Sequence, residues 1–278
     1  MRLSELKRET AAILSRNTDV ESPSGEAALL LEAFLGITRV RQLMSPDDEI
    51  NEEDSALILD KAAQRANHIP MAYITGHKEF WDLDFLVNEN VLIPRPDTET
   101  LVEEALKEIR PGYRVLDMCT GSGAIGISVE ASSEAEVTLS DISPEALRTA
   151  GENSRRLVNG SCRLILSDLF SAIDGIFDMI LTNPPYLTSE WVESVTAEVR
   201  KEPLLALLDR DEDGLGIIRE IIGQSPSHLT PGGILMIECD YRQTHDCVII
   251  LKNTGFEDIR IISDLSGRER VVRGTYHA

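Results

Sequence analysis

The spacing of apolar positions changes near residue 75. Before it, Leu3, Leu6, Ala11, Ile13 and Leu14 recur at roughly helical spacing. Residues 24–35 form a second apolar-rich stretch ending at Gly36, and residues 54–66 a third, closed by His68-Ile69-Pro70. This pattern predicts a small helical domain over residues 1–75. In residues 78–92, Phe80, Leu83, Phe85 and Val87 alternate enough to predict a short hairpin, so residues 76–95 read as a linker. From 96 to 278 short apolar runs and helical stretches take turns. Strands are expected from Arg114, over 137–141, 163–168, 177–182, 233–238 and 259–263, and last over 270–276. Helices are expected over 98–109, with Thr98 as a candidate cap, and over 215–224 and 243–252. The loop containing Gly267 is short, so the final strand is expected to run antiparallel. The prediction is an α/β domain, Rossmann-like, with a mixed seven-stranded sheet.

Composition narrows this picture. The chain has 278 residues, ample for two domains, and 42% of them are hydrophobic. No apolar stretch has membrane-spanning length, and no membrane partner is expected. The first residues, Met1-Arg2-Leu3-Ser4-Glu5-Leu6-Lys7-Arg8, lack an apolar signal core, so a cytoplasmic location is expected. The four cysteines form no Cys-x-x-Cys pair; buried thiols are expected, with no metal site and no disulfide framework. A formal net charge of -21 opposes non-specific attachment to nucleic acid, and no direct nucleic-acid contact is expected. The same charge favours solubility or a basic protein partner.

Candidate chemistry sits at the strand ends. Arg114 to Gly126 runs strand, glycine-rich turn, helix. Small residues there admit a ligand close to the backbone, and the helix start supplies free N–H groups. Gly121-x-Gly123-x-x-Gly126 satisfies the dinucleotide pattern, which permits an NAD-dependent oxidoreductase. Asp117 ahead of the turn sits poorly beside a pyrophosphate and suits a cationic ligand such as the sulfonium and amino group of S-adenosyl-L-methionine. Asp141 ends the second strand, where a carboxylate can accept from ribose hydroxyls, and Asp168 ends the third. The fourth strand ends in Asn183-Pro184-Pro185-Tyr186. The Asn183 side-chain oxygen and the Pro184 carbonyl can accept the two hydrogens of a planar NH2 group, while Tyr186 offers a stacking face. Accepting both hydrogens favours return of the delocalised lone pair to nitrogen as it attacks. The rival reading of the four residues is a strand end broken by a Pro-Pro turn.

With these residues the chain resembles the HemK/PrmC family of protein-(glutamine-N5) methyltransferases. The resemblance runs over almost the whole chain. It includes Pro70-Met71-Ala72-Tyr73-Ile74-Thr75-Gly76, Glu79-Phe80-Trp81, Leu92-Ile93-Pro94-Arg95-Pro96-Asp97-Thr98-Glu99 and Glu202-Pro203-Leu204-Leu205-Ala206-Leu207. Asn-Pro-Pro-Tyr is shared with DNA adenine methyltransferases, whereas residues 73–76 and 94–99 are more specific. The resemblance implies a class I methyltransferase fold and S-adenosyl-L-methionine as cofactor. It implies methylation of the glutamine in the Gly-Gly-Gln motif of peptide chain release factors. Cys119, Thr120, Gly121, Ser122 and Gly123 would hold the methionine part, Asp141 the ribose, and Asp168 and Leu169 would border the adenine. Asn183, Pro184, Pro185 and Tyr186 would grip the substrate amide. Two residues depart from the family pattern. Cys119 stands where glycine is usual, so the backbone there is ordinary or the cofactor sits slightly shifted. Leu169 stands where an aromatic is frequent, so adenine stacking is weaker or falls to Phe170.

Two further alternatives stay open on sequence. A nucleic-acid amino methyltransferase acting on adenine or guanine shares Asn-Pro-Pro-Tyr, but the chain is acidic and has no basic target-recognition segment. A catalytically inert interaction module would keep the fold, with Cys119 and Leu169 as its only support. No histidine stands near the glycine-rich turn or Asn183-Pro184-Pro185-Tyr186 in sequence, so a histidine general base is not expected.

Overall fold

The computed structural model of the chain describes residues 1–277, which fall into two compact units. The first comprises Met1–Gly76 and Val195–Lys201, the second His77–Ser194 and Glu202–Ala278.

The first unit is helical: α1 (Leu3–Leu14), α2 (Pro23–Leu35), α3 (Arg39–Met44), α4 (Glu52–Ala66) and α5 (Met71–Thr75). Local chemistry sets the ends. The Ser22 and Asn51 side chains accept from the backbone of Gly25 and Asp54, Pro23 occupies the first turn of α2, and Gly36 closes α2 at φ 64°. Leu3, Leu6 and Leu14 bury one stripe of α1 against Leu30, Leu31 and Ile58. The short helices α3 and α5 escape the periodicity, being too brief to show one. Arg65 is buried in this unit; it donates to Glu26 at 2.8 Å and pairs with Glu198 at 3.0 Å.

The second unit opens with an antiparallel hairpin, β1 (His77–Phe80) and β2 (Leu83–Leu86). Trp81 and Asp82 turn it with positive φ at both central positions. The expected hairpin over 78–92 is thus shorter: Val87 and Val91 are buried without pairing as strands. Then follow α6 (Glu99–Glu108), β3 (Arg114–Met118), α7 (Ala124–Ser132), β4 (Glu136–Asp141), α8 (Pro144–Leu157), β5 (Arg163–Leu166) and β6 (Phe177–Thr182). The chain continues through α9 (Ser189–Ser194), α10 (Gly216–Gln224), β7 (Leu229–Glu238), α11 (Thr244–Asn253), β8 (Phe256–Ser263) and β9 (Glu269–Tyr276).

The sheet order is β5-β4-β3-β6-β7-β9-β8, parallel except that β9 runs antiparallel to both neighbours. Alternate residues of the central strands feed two apolar layers. Val115, Met179, Leu181 and Met236 pack in one layer with Leu101, Val102 and Ile127. Leu116, Met118, Ile180, Leu235 and Ile237 pack in the other with Ile218, Ile221, Ile222 and Leu251. This is the class I methyltransferase fold. Strand order reverses between β3 and β6, and a crevice outside the strand ends is expected at such a reversal.

Candidate active site

A cavity of about 240 Å³ lies there, in the second unit. The β3–α7 turn supplies Cys119, Thr120, Gly121 and Ser122, and β4 supplies Ser140 and Asp141. Asp168 and Leu169 follow β5, Asn183 and Pro185 follow β6, and Arg95, Thr98 and Arg210 are among the further polar residues of the wall.

Asp141 behaves as a strand-end acceptor. Its Oδ2 accepts from the Gly121 N–H at 2.9 Å and its Oδ1 from the Ser143 N–H at 2.9 Å. Burial raises its carboxyl above the usual aspartate range, against the pull of these backbone donors. Beside it the Ser140 hydroxyl lines the cavity, buried and without a protein partner.

Asp117 lies elsewhere. It is fully buried beneath the turn, not in the cavity wall. Its Oδ2 accepts from the Thr120 hydroxyl at 2.5 Å and the Gly126 N–H at 2.8 Å, so it ties the turn to the start of α7. Desolvation pushes its carboxyl up to about 7, although both donors favour the charged form. The reason for this placement is the tight approach of α7: a Cβ on Gly126 would lie 2.3 Å from Leu139 Cδ2 and 2.9 Å from Asp117 Cβ. Gly123 likewise stands outside the wall, at φ 86°, where it opens α7. Asn153 on α8 holds the turn from behind, donating to the Ser122 carbonyl at 2.9 Å.

Cys119 adopts φ 58°, so the alternative of an ordinary backbone is excluded: the left-handed conformation is taken despite the Cβ. Burial raises its thiol, which disfavours a reactive thiolate. Leu169 also turns left-handed, at φ 48°, and lines the cavity while 6% exposed. Phe170 does not take over as a stacking face. The turn at Leu169 directs it into the apolar layer, where its ring stacks on His228 with centroids 4.5 Å apart. Asp168 is half exposed and bound by Arg210 Nη2 at 2.6 Å, a partner with no signal in the sequence beyond its place in a charged segment.

The Asn183-Pro184-Pro185-Tyr186 stretch splits in two. Asn183 and Pro185 reach the cavity; Pro184 is buried outside its wall, and so is the partly buried Tyr186. Side chains of an extended segment alternate in direction, which separates 183 and 185 from 184 and 186. The Tyr186 ring packs against the apolar layer, and its backbone oxygen accepts from Gln243 Nε2 at 3.0 Å. Burial, then the nearby Glu238 charge, raise its phenol above the usual range. Asn183 Nδ2 donates to Thr98 Oγ1 at 3.4 Å. Arg95 and the Ile93 N–H both bond the buried Glu202 carboxylate, the latter at 3.1 Å, which fixes the segment leading to Thr98. None of the histidines lines the cavity. Among the described residues no group of three or more His, Cys, Asp or Glu is arranged to hold a metal, and no helix is long and apolar enough to cross a membrane.

Comparison with known proteins places this geometry. Residues 5–76 match the family model described as the PrmC N-terminal domain, and residues 96–201 match the methyltransferase small domain. The chain is 37% identical over 276 residues to the release factor glutamine methyltransferase of Deinococcus radiodurans, covering 98% of each chain. It is 35% identical to that of Escherichia coli K12, over 92% of this chain and 94% of the other. Among solved structures, a methyltransferase from Pyrococcus furiosus superimposes with a TM-score of 0.57 at 17% identity, over 82% of this chain and all of its own, a likeness of fold.

Proposed function

The chain belongs to the release factor glutamine methyltransferase family, and from that premise we propose that it methylates the glutamine side-chain nitrogen in the Gly-Gly-Gln motif of a peptide chain release factor. The observation that carries this reading is Asn183 standing in the wall of the same cavity as Asp141 and the Gly121 turn. A carboxamide acceptor and a strand-end carboxylate then face one space, one suited to an amide substrate and the other to a ribose.

S-adenosyl-L-methionine fits this wall, because the Ser140 hydroxyl is buried there without a partner and Gly121 and Ser122 leave room beside the backbone. When bound it would supply an electrophilic methyl group on a sulfonium, whose S–C bond breaks as the methyl is transferred and whose sulfur leaves as a neutral thioether. Asp141 would accept from ribose hydroxyls, Leu169 and Asp168 would border the base, and Cys119 to Ser122 would hold the methionine part, with Gly123 outside the wall opening α7 behind them. Asn183 Oδ1 accepts one hydrogen of the glutamine amide, which keeps the nitrogen lone pair from delocalising as the new N–C bond forms. Pro184 and Tyr186, outside the cavity wall, stiffen the exit of β6 that presents Asn183, so the second amide hydrogen is not assigned to the Pro184 carbonyl. The surplus proton leaves to water after transfer, so the site requires no strong base. Alignment carries the rate; well-oriented reactants can gain roughly 7–11 kcal/mol.

The test is mass spectrometry of a full-length release factor incubated with the protein and S-adenosyl-L-methionine. One added methyl on the Gly-Gly-Gln glutamine is expected. Methyl incorporation into DNA or ribosomal RNA instead would favour the nucleic-acid alternative.

A further inference from the structure

Thr98 stands at the start of α6 but makes no side-chain cap. A threonine before an acidic first turn normally bonds the helix backbone. Here the residue is already in the helical region, at φ -66° and ψ -20°, closing a 3-10 turn over Pro96–Thr98, so its hydroxyl points away from the free N–H groups. It is 4% exposed, lies against the Glu238 carboxylate at the end of β7, and receives Asn183 Nδ2 at 3.4 Å. This is the single side-chain hydrogen bond of Asn183 among the described residues.

We propose that Thr98 and Glu238 are positioning residues that decide which end of the Asn183 carboxamide faces the substrate. The inference rests on the function proposed above. A hydroxyl has one proton to donate. An ionised Glu238 is an acceptor only and takes that proton, so Thr98 must meet Asn183 with a lone pair. The NH2 end of Asn183 is thereby drawn to Thr98, and Oδ1 is left for the substrate amide. The two ends of a carboxamide are nearly equal in shape, so without the hydroxyl little prevents a flip. A flipped Asn183 would set NH2 against NH2 and lose the acceptor.

The direction of this chain depends on the charge of Glu238. Its surroundings are Arg270 from β9, Asp97 and Arg95 ahead of α6, Tyr186 beyond β6, and Cys239 and Asp240 that follow it. Glu238 is 2% exposed and its Oε2 has no hydrogen-bond partner. Desolvation pushes its carboxyl up to about 7, outweighing Thr98 and Arg270. Once protonated it can donate to Thr98. The Thr98 proton is then free to turn to Asn183, where it favours the oxygen end and reverses the carboxamide.

The experiment compares the full-length wild type with Thr98→Val, Thr98→Ser and Glu238→Gln, using intact release factor. Thr98→Val should lose about tenfold in turnover, the scale of one hydrogen bond, with cofactor affinity by calorimetry unchanged; Thr98→Ser should recover most of that loss. Wild-type turnover should fall on the acid side of pH 7, and Glu238→Gln should lose that limb. A second readout needs no substrate: the Asn183 side-chain amide resonances of the 15N-labelled protein should move with pH near 7 and shift in Thr98→Val. Turnover in Thr98→Val equal to wild type, a Thr98→Ser no better than it, or Asn183 resonances indifferent to both changes would overturn the inference. If the wild type methylates no release factor, the proposed function fails, and the Asn183 resonances alone decide the orientation.

Discussion

Asn183 and Asp141 divide the chemistry between two kinds of group. Asn183→Ala removes an acceptor needed as the nitrogen attacks, so turnover should fall about a hundredfold while cofactor affinity stays close to wild type; single-turnover rates and calorimetry together check this. Asp141→Ala should do the reverse, weakening cofactor binding about tenfold or more through loss of a charged acceptor, read by calorimetry. Glu238 gives a third expectation, in stability. Its carboxyl rises from the ordinary 4.5 to about 7 in the fold. The native state then binds the proton more tightly than the unfolded state, so stability falls as pH rises from 4.5 to about 7 and levels above. Glu238→Gln should flatten that slope, by up to about 1.4 kcal/mol per pH unit, in urea melts across the window. At this scale the sequence spoke clearly where a residue ends or directly follows a strand, as Asp141 and Asn183 do. It could not tell that Asp117 turns under its own loop, because the direction of a side chain at a strand exit is set by the packing of α7. Nor could it distinguish Thr98 as a cap from Thr98 as a partner of Asn183, since both begin a helix with a threonine.

The β3–turn–α7 unit depends on the closeness of helix and strand. Gly126→Ala would press a Cβ against Leu139 and Asp117 and disturb the 2.8 Å bond from the Gly126 N–H. A loss of about 1–3 kcal/mol is expected from such overpacking, measurable by denaturant unfolding, with cofactor affinity falling as the turn shifts. Elements of this kind were the easiest to foresee. Parallel strands buried on both faces read as apolar runs; β4 and β6 stood within a residue of their expected bounds, and β3 began at Arg114 as expected. The hairpin was overextended because the alternation of Leu83, Phe85 and Val87 runs on past Leu86, where the strand pairing stops. The helices α3 and α5, six and five residues long, offered no period to detect.

At the level of the whole chain, the helical stretch before residue 75 and the α/β stretch after it were legible from period alone. The return of Val195–Lys201 to the first unit was not, because it is held by a pair far apart in sequence. Arg65 binds Glu26 and Glu198 there. Arg65→Ala should therefore cost about 1–3 kcal/mol, less than a fully buried pair because Glu26 and Glu198 keep side-chain exposures of 23% and 30%. Hydrogen exchange should show the loss in residues 1–76 and 195–201 and leave β3 and β6 protected. The chain passes between its two units at 76–77, 194–195 and 201–202. A gene fragment beginning at residue 77 would strip one short loop of the helices it nests among, and a single protease nick could never set either half free. Any swap of the helical part between relatives must therefore carry seven residues from deep inside the other half along with it.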